Sequence, residues 1–287
     1  MKRALLIAGA CAALLVAALL AYLTVTGIAA SLPDVSSLEH RTPSRTALMD
    51  LRAEEARKKG RVAAVDQRWM PYERISPLLR RAVLIAEDDA FFSHGALDWN
   101  EIQASMRKNL AAGRTMRGGS TITQQLAKNL YLGPERTVTR KLKEMMLARR
   151  LEAALTKRRI FELYLNLIEW GDGIYGIDAA AERHFGVSAA NLDPRTSALL
   201  AAVIINPRRF DPAHPDRRIE RRARMILSRM RRRGFISEEE YRVAIGEAPP
   251  SLPADTTLVP PPDTSAGEPL PEPGPAPPVT AAGTTLD

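Results

Sequence analysis

The sequence predicts a mainly α-helical body preceded by one N-terminal transmembrane helix. Three observations carry this expectation. An uncharged, apolar run fills residues 4–30. Apolar residues then recur at helical spacing in segment after segment, most of them opened by a capping residue. Alternating strand patterns are nearly absent, and residues 61–67 form the best candidate for a β piece.

The apolar run follows a basic start, Met1-Lys2-Arg3, and the next charged residue is Asp34. At about 1.5 Å per residue its length is roughly 40 Å, more than the ~30 Å hydrocarbon core, so a tilted span is feasible. A cleaved signal peptide is the alternative, with Ile28-Ala29-Ala30 as a loose cleavage site. Signal peptides carry only about 7–15 apolar residues, so the run reads as an uncleaved anchor. Lys2 and Arg3 favour a cytoplasmic N-terminus, which places the body outside. Cys11 is the only cysteine and the four histidines are scattered, which excludes a disulfide scaffold, a zinc module and a cysteine nucleophile.

Residues 249–287 hold twelve prolines, five acidic residues, no aromatic residue and no Lys or Arg. Such a composition cannot bury enough apolar surface to order itself, and a disordered tail is expected. The chain thus divides into a cytoplasmic start and anchor (1–31), a juxtamembrane segment (32–75), a folded domain (76–248) and the tail (249–287). The net charge of +8 arises wholly before the tail.

Within the body, Ser76-Pro77 is a cap followed by proline at the first helical position, and Leu78, Leu79, Ala82, Val83 and Ala86 continue the pattern. A second helix fits residues 98–112, and a third begins near Ser120 and stops at Gly133-Pro134. A longer one covers about 136–155. Thr156 caps the next, through Leu167. Asp193-Pro194 opens a helix over 197–205, and Ser237 with Glu240 makes a capping box for a last short one.

Three segments could carry chemistry. Glu87-Asp88 follows the apolar Ala82-Val83-Leu84-Ile85-Ala86 and precedes Phe91-Phe92; it reads either as a solvated pair at a helix end or as a desolvated carboxylate suited to general-base work. Gly118-Gly119 leads into Ser120, Thr121, Thr123, Gln124, Gln125 and Lys128, hydroxyls and amides able to bind sugars or phosphate oxygens at the opening of a helix. Arg136, Arg140, Lys141, Lys143 and Glu144 form a cation cluster around one carboxylate. Arg140 and Glu144 make either a plain surface ion pair or part of a diphosphate holder, and the cluster alone does not decide.

Together these segments resemble the peptidoglycan glycosyltransferases. Glu87-Asp88-Asp89-Ala90-Phe91-Phe92-Ser93-His94 is similar to that family's E-D-x-x-F-x-x-H motif, although Gly95 follows His94 directly where the family continues H-x-G. Gly119-Ser120-Thr121-Ile122-Thr123-Gln124-Gln125 matches G-S-T-I-T-Q-Q without a mismatch, and Arg140-Lys141-Leu142-Lys143-Glu144 matches R-K-x-x-E. Residues 157–166 resemble K-x-x-I-L-E-x-Y-L-N, with Phe161 for Leu. Glu169-Trp170-Gly171-Asp172-Gly173 and Asn206-Pro207-Arg208-Arg209-Phe210 are most similar to the monofunctional branch, the biosynthetic peptidoglycan transglycosylases.

The resemblance implies a lysozyme-like helical glycosyltransferase domain that polymerises lipid II into β-1,4-linked glycan strands, inverting the donor anomeric centre and releasing undecaprenyl diphosphate. It implies Glu87 as general base and Glu144 as the second catalytic glutamate. Asp88, His94, Ser120, Thr121, Gln124, Gln125, Lys128, Arg136, Arg140 and Lys141 are implied substrate contacts, with Glu162, Tyr164 and Asn166 bracing the fold. Mg²⁺ or another divalent cation on the substrate diphosphate is implied, with no organic cofactor and no dedicated metal site. Lipid II, the growing strand, membrane lipids and cell-division or wall-synthesis proteins are the implied partners. A lytic enzyme with one key glutamate is the rival, and the cation cluster favours a diphosphate donor over a neutral glycan. The eleven arginines of residues 208–233 could suit nucleic acid, but outside the membrane they suit anionic lipid headgroups better, at about 1 kcal/mol per charge. No nucleic-acid partner is expected.

Overall fold

The structure is a computed structural model and describes residues 2–112, 119–135 and 137–247. The expected tail and Arg136 lie outside the described residues.

Helix α1 (Lys2–Ala30) is the apolar run; its stretch Gly9–Ala30 is long and apolar enough to cross a membrane, and it meets the body only at its last turn, where Ile28 is buried. The chain enters the body without slack. Leu32, Val35 and Leu38 are buried in the core, and Arg150 donates to the carbonyls of Ala29, Leu32 and Pro33 at 2.6, 2.9 and 3.2 Å. The last carbonyls of a helix lack partners within it, so one guanidinium satisfies the end of α1 and ties it to the body. Residues 32–75 also hold α2 (Ala47–Lys58), capped by Thr46, which the sequence reading passed over. Its Arg52 pairs with the buried Glu169 at 2.9 Å, so the packed body reaches N-terminal of residue 76.

Helices α3 (Pro77–Glu87), α4 (Trp99–Ala112), α5 (Ile122–Tyr131), α6 (Val138–Ala154) and α7 (Lys157–Leu167) follow the expected order. Local differences have local causes. Pro77 opens α3 as expected, but Ser76 makes no side-chain cap and donates to the Leu192 carbonyl at 3.0 Å instead. Helix α5 starts two residues later than Ser120, because Thr121 is its cap and Gln124 completes a capping box. The expected strand is β1 (Asp66–Gln67), which pairs in parallel with β3 (Ile174–Tyr175), itself antiparallel to β2 (Glu169–Gly171). The β2–β3 turn needs Gly173, whose φ is +75° and where a Cβ would collide with the Ala64 carbonyl.

Helices α8 (Ile177–Phe185), α9 (Pro194–Val203), α10 (Arg217–Arg232) and α11 (Glu238–Ile245) complete the body. The α9 cap, Asp193, and the α11 capping box of Ser237 and Glu240 stand where expected. Helix α10 carries most of the arginine run. Its Ile219, Ala223, Ile226, Leu227 and Met230 form one buried stripe against α9 and α3. Trp170, Tyr164, Tyr175, Phe91 and Phe161 are the largest fully buried side chains; Phe91 and Phe161 stand 5.7 Å apart between the turn after α3 and α7.

Candidate active site

Glu87 is the last residue of α3, where the apolar face of that helix ends, so its carboxylate is held in a mostly buried place at the rim of a cleft. Gln125 of α5 donates to Glu87 Oε2 at 3.0 Å, and Arg222 of α10 donates to Oε1 at 3.0 Å. Burial pushes the Glu87 carboxyl above its ordinary pKa, against the lowering effect of Gln125 and Arg222. The Tyr164 hydroxyl donates to Gln125 Oε1 at 3.0 Å, which turns the amide NH₂ of Gln125 toward Glu87. Tyr164 itself is fully buried, and its hydroxyl is pushed far up by burial, so it stays a donor.

Asp88 joins two helix ends. Its Oδ2 accepts from the Ile122 amide at 2.9 Å, an otherwise unpaired donor at the start of α5, and its Oδ1 meets His94 Nε2 at 2.7 Å. His94 Nδ1 lies 2.6 Å from the Gly95 carbonyl. Thr121 and Gln124, both buried, bond to each other in the capping box, and Thr121 also donates to the Ala96 carbonyl at 2.9 Å. These four expected substrate contacts thus direct their polar atoms into the protein and hold α3, α5 and the turn between them in register.

Asp88, His94 and Asp98 bring three potential metal ligands within 4.8 Å of one another. Both nitrogens of His94, which offer one position each, already face oxygens, the Gly95 carbonyl and Asp88 Oδ1, so His94 has none left for a cation and the trio does not fit a resident one.

The cleft at Glu87, about 410 Å³, is also lined by Asp88, Asp89, Asp98, Ser120, Thr121 and Arg229. A second group stands on α6 and the facing side of α5. Glu144, a buried carboxylate, accepts from Arg140 at 2.6 Å and from Lys141. Lys128 is pushed below its ordinary pKa by burial, with nearby Glu144 opposing that fall. Lys128, Arg140 and Arg52 line a cleft of about 380 Å³. Ser120 joins the two groups, since Lys141 Nζ donates to its Oγ at 3.3 Å and Ser120 lines the Glu87 cleft. Gly119 before it has φ +92°, the left-handed region where glycine is favoured.

The structure therefore brings Glu87, Gln125 and Ser120 together, and separately Glu144, Arg140, Lys141 and Lys128. Glu162 and Asn166 brace: Glu162 accepts from the Tyr72 amide at 3.2 Å, and Asn166 bonds both the amide and the carbonyl of Met70. Two participants escaped the sequence reading. Arg222 was grouped with arginines facing lipid, and nothing local distinguishes it from its neighbours. Arg52 lies in the juxtamembrane segment, on α2. The rest of the arginine run is also partly internal, with Arg208 on Asp172 and Glu55, Arg231 on Glu238, and Arg233 on Asp89.

A family model described as Transglycosylase matches residues 55–231, which include Glu87, Glu144 and the other residues of this site except Arg52. The biosynthetic peptidoglycan transglycosylase of Aromatoleum aromaticum is 46% identical over 191 residues, covering 67% of this chain and 83% of that protein. Its counterpart from Nitrosomonas europaea is 47% identical over 189 residues, covering 66% and 78%. Among solved structures, penicillin-binding protein 1A from Haemophilus influenzae is matched over 64% of this chain and 18% of that one, at 24% identity and a TM-score of 0.37. On the family model and these relatives, the chain belongs to the transglycosylase family and is a peptidoglycan glycosyltransferase of the biosynthetic transglycosylase kind.

Proposed function

We propose that this enzyme polymerises lipid II at a membrane surface, with Glu87 as general base and the Glu144 cluster at the donor diphosphate. The observation that carries the reading is the pairing of two unlike sites joined through Ser120: a desolvated carboxylate on one side, and a caged carboxylate among three cations on the other. Glu87 removes the proton of the acceptor's 4-hydroxyl as that oxygen attacks C1 of the donor sugar. The C1–oxygen bond to the diphosphate breaks on the opposite face, so configuration inverts and undecaprenyl diphosphate leaves with the bonding electrons. Arg140, Lys141 and Lys128 meet the negative charge that moves onto the leaving group, where fixed charge stabilises the transition state most. Glu144 keeps Arg140 and Lys141 in place and lowers the net repulsion within the cluster. A divalent cation enters this reading as a companion of the diphosphate oxygens, not as a resident of the protein.

Helix α1 supports a membrane-anchored enzyme whose body lies on the periplasmic side of the inner membrane, beside substrate and product that both carry lipid tails. The test is polymerisation of purified lipid II by the full chain in vesicles. Glu87→Gln is expected to remove at least 10²-fold of the rate, the usual share of general-base catalysis. Near-normal polymerisation by that variant would sink the reading, and release of soluble fragments from purified sacculi would favour a lytic enzyme.

A further inference from the structure

Arg222 belongs to a run of arginines that is mostly exposed, yet the fold turns its head inward. The buried stripe of α10 sets that helix across the end of α3 and leaves Arg222 beside the stripe. One nitrogen, Nη2, donates to the Ala86 carbonyl at 3.1 Å and to Glu87 Oε1 at 3.0 Å. Gln125, fixed by Tyr164, holds Oε2.

We propose that Arg222 is a positioning residue for the general base, holding the Glu87 carboxylate ionised and aimed at the cleft until the acceptor hydroxyl arrives. The proposal rests on Glu87 being that base. Each carboxylate oxygen has two acceptor positions, so donors from Arg222 and Gln125 leave capacity to take the hydroxyl proton. The bond to the Ala86 carbonyl keeps the guanidinium in place once Glu87 is neutral, so the base can reset without rebuilding the contact.

The charges around Glu87 make Arg222 decisive. Burial raises the Glu87 pKa, and the charge of the adjacent Asp88 adds to that rise. From the packed elements Glu87 meets Gln125 of α5, behind which stands the neutral Tyr164 of α7, and Arg222 of α10, while Asp89, Asp98, Glu101 and Arg229 line the same cleft. Among the described residues, Arg222 is the cation in contact with it. Without that charge, burial and the surrounding carboxylates would leave more of the base protonated near neutrality.

The test measures kcat against pH for lipid II polymerisation in vesicles by the full chain, its Arg222→Gln and its Arg222→Lys variants, with thermal melts of each. In Arg222→Gln the acidic limb is expected to move up by about one pH unit, the lower end of what a contacting opposite charge does, with KM for lipid II unchanged. Arg222→Lys, which keeps the charge, is expected to bring the limb back toward the wild type. If Arg222→Gln fails to fold, Arg222→Met, which keeps an unbranched stem for packing, takes its place. A limb coincident with the wild type, with the rate lowered equally at all pH, overturns the proposal, as does a Lys variant displaced as far as the charge-free one. Glu87→Gln separates the two claims. An active Glu87→Gln removes the base assignment and this role with it, whereas an inactive one with an unmoved Arg222→Gln limb removes the role of Arg222 alone.

Discussion

Glu87 sits where its ionised form is disfavoured, and that cost has a consequence for stability that can be measured apart from activity. Burial raises its folded-state pKa above the ordinary value of 4.5 despite Gln125 and Arg222. Between the ordinary and the raised value, the folded protein holds a proton that the unfolded chain has released. Stability therefore falls as pH rises through that window. Glu87→Gln removes the titration, so melting curves across the window should show the wild type losing ground to the variant as pH increases. Parallel curves for the two proteins would show that Glu87 is not held in this disfavoured state. Residue type and an apolar lead-in left Glu87 open between a solvated pair and a base, and the cations beside Glu144 did not decide its role; the motif resemblance singled out both as candidates. Arg222 was not, because its partner lies 135 positions earlier in the chain and contact was decided by how α10 crosses α3.

At the scale of the element, the turn into α5 shows how a motif rich in hydroxyls and amides divides its labour. Thr121 and Gln124 cap the helix, whereas Ser120 and Gln125, their immediate neighbours, face the two halves of the site. Sequence shows the polar cluster but not which members turn inward, since that depends on where the cap falls, and the cap moved the start of α5 past Ser120. Thr121→Ala loses a cap worth about 1 kcal/mol and leaves the buried Ala96 carbonyl without its donor, so a total destabilisation of about 2 kcal/mol is expected. Urea unfolding of the body measures it, and Thr121→Ser, which keeps the hydroxyl, should recover most of the loss. A Thr121→Ala midpoint equal to that of the wild type would contradict the capping account. Helix α10 is the converse case. Its apolar stripe at positions 219, 223, 226, 227 and 230 is readable as a helix, but the arginines between those positions drew attention to charge instead.

For the whole molecule, the join between anchor and body matters most. Arg150 grips the end of α1 from the same helix that carries Glu144 two turns earlier, and Leu32, Val35 and Leu38 enter the core immediately after it. The point where α1 leaves the body is thereby set by packing and not by a loose tether; if α1 spans a bilayer as proposed, the same packing sets the height of the site above it. Removing residues 1–26 leaves every one of those contacts. The truncated body should melt within a few degrees of the full chain, yet polymerise lipid II in vesicles far more slowly, with the deficit shrinking when substrate is presented in detergent. Equal rates in vesicles would mean that the anchor serves address alone. The sequence by itself determined the helical class, the long apolar N-terminal helix and most helix starts, and offered both glutamates as candidates, because caps, periodicity and short motifs are local properties of consecutive residues. Tertiary structure alone decided that Asp88 and His94 bond to each other and tie the turn after α3 to the start of α5, that residues 32–75 hold a packed helix, and that one arginine of a long basic run meets Glu87. Those outcomes depend on which surfaces remain buried once α3, α5, α6 and α10 have packed, and no window of neighbouring residues contains that information.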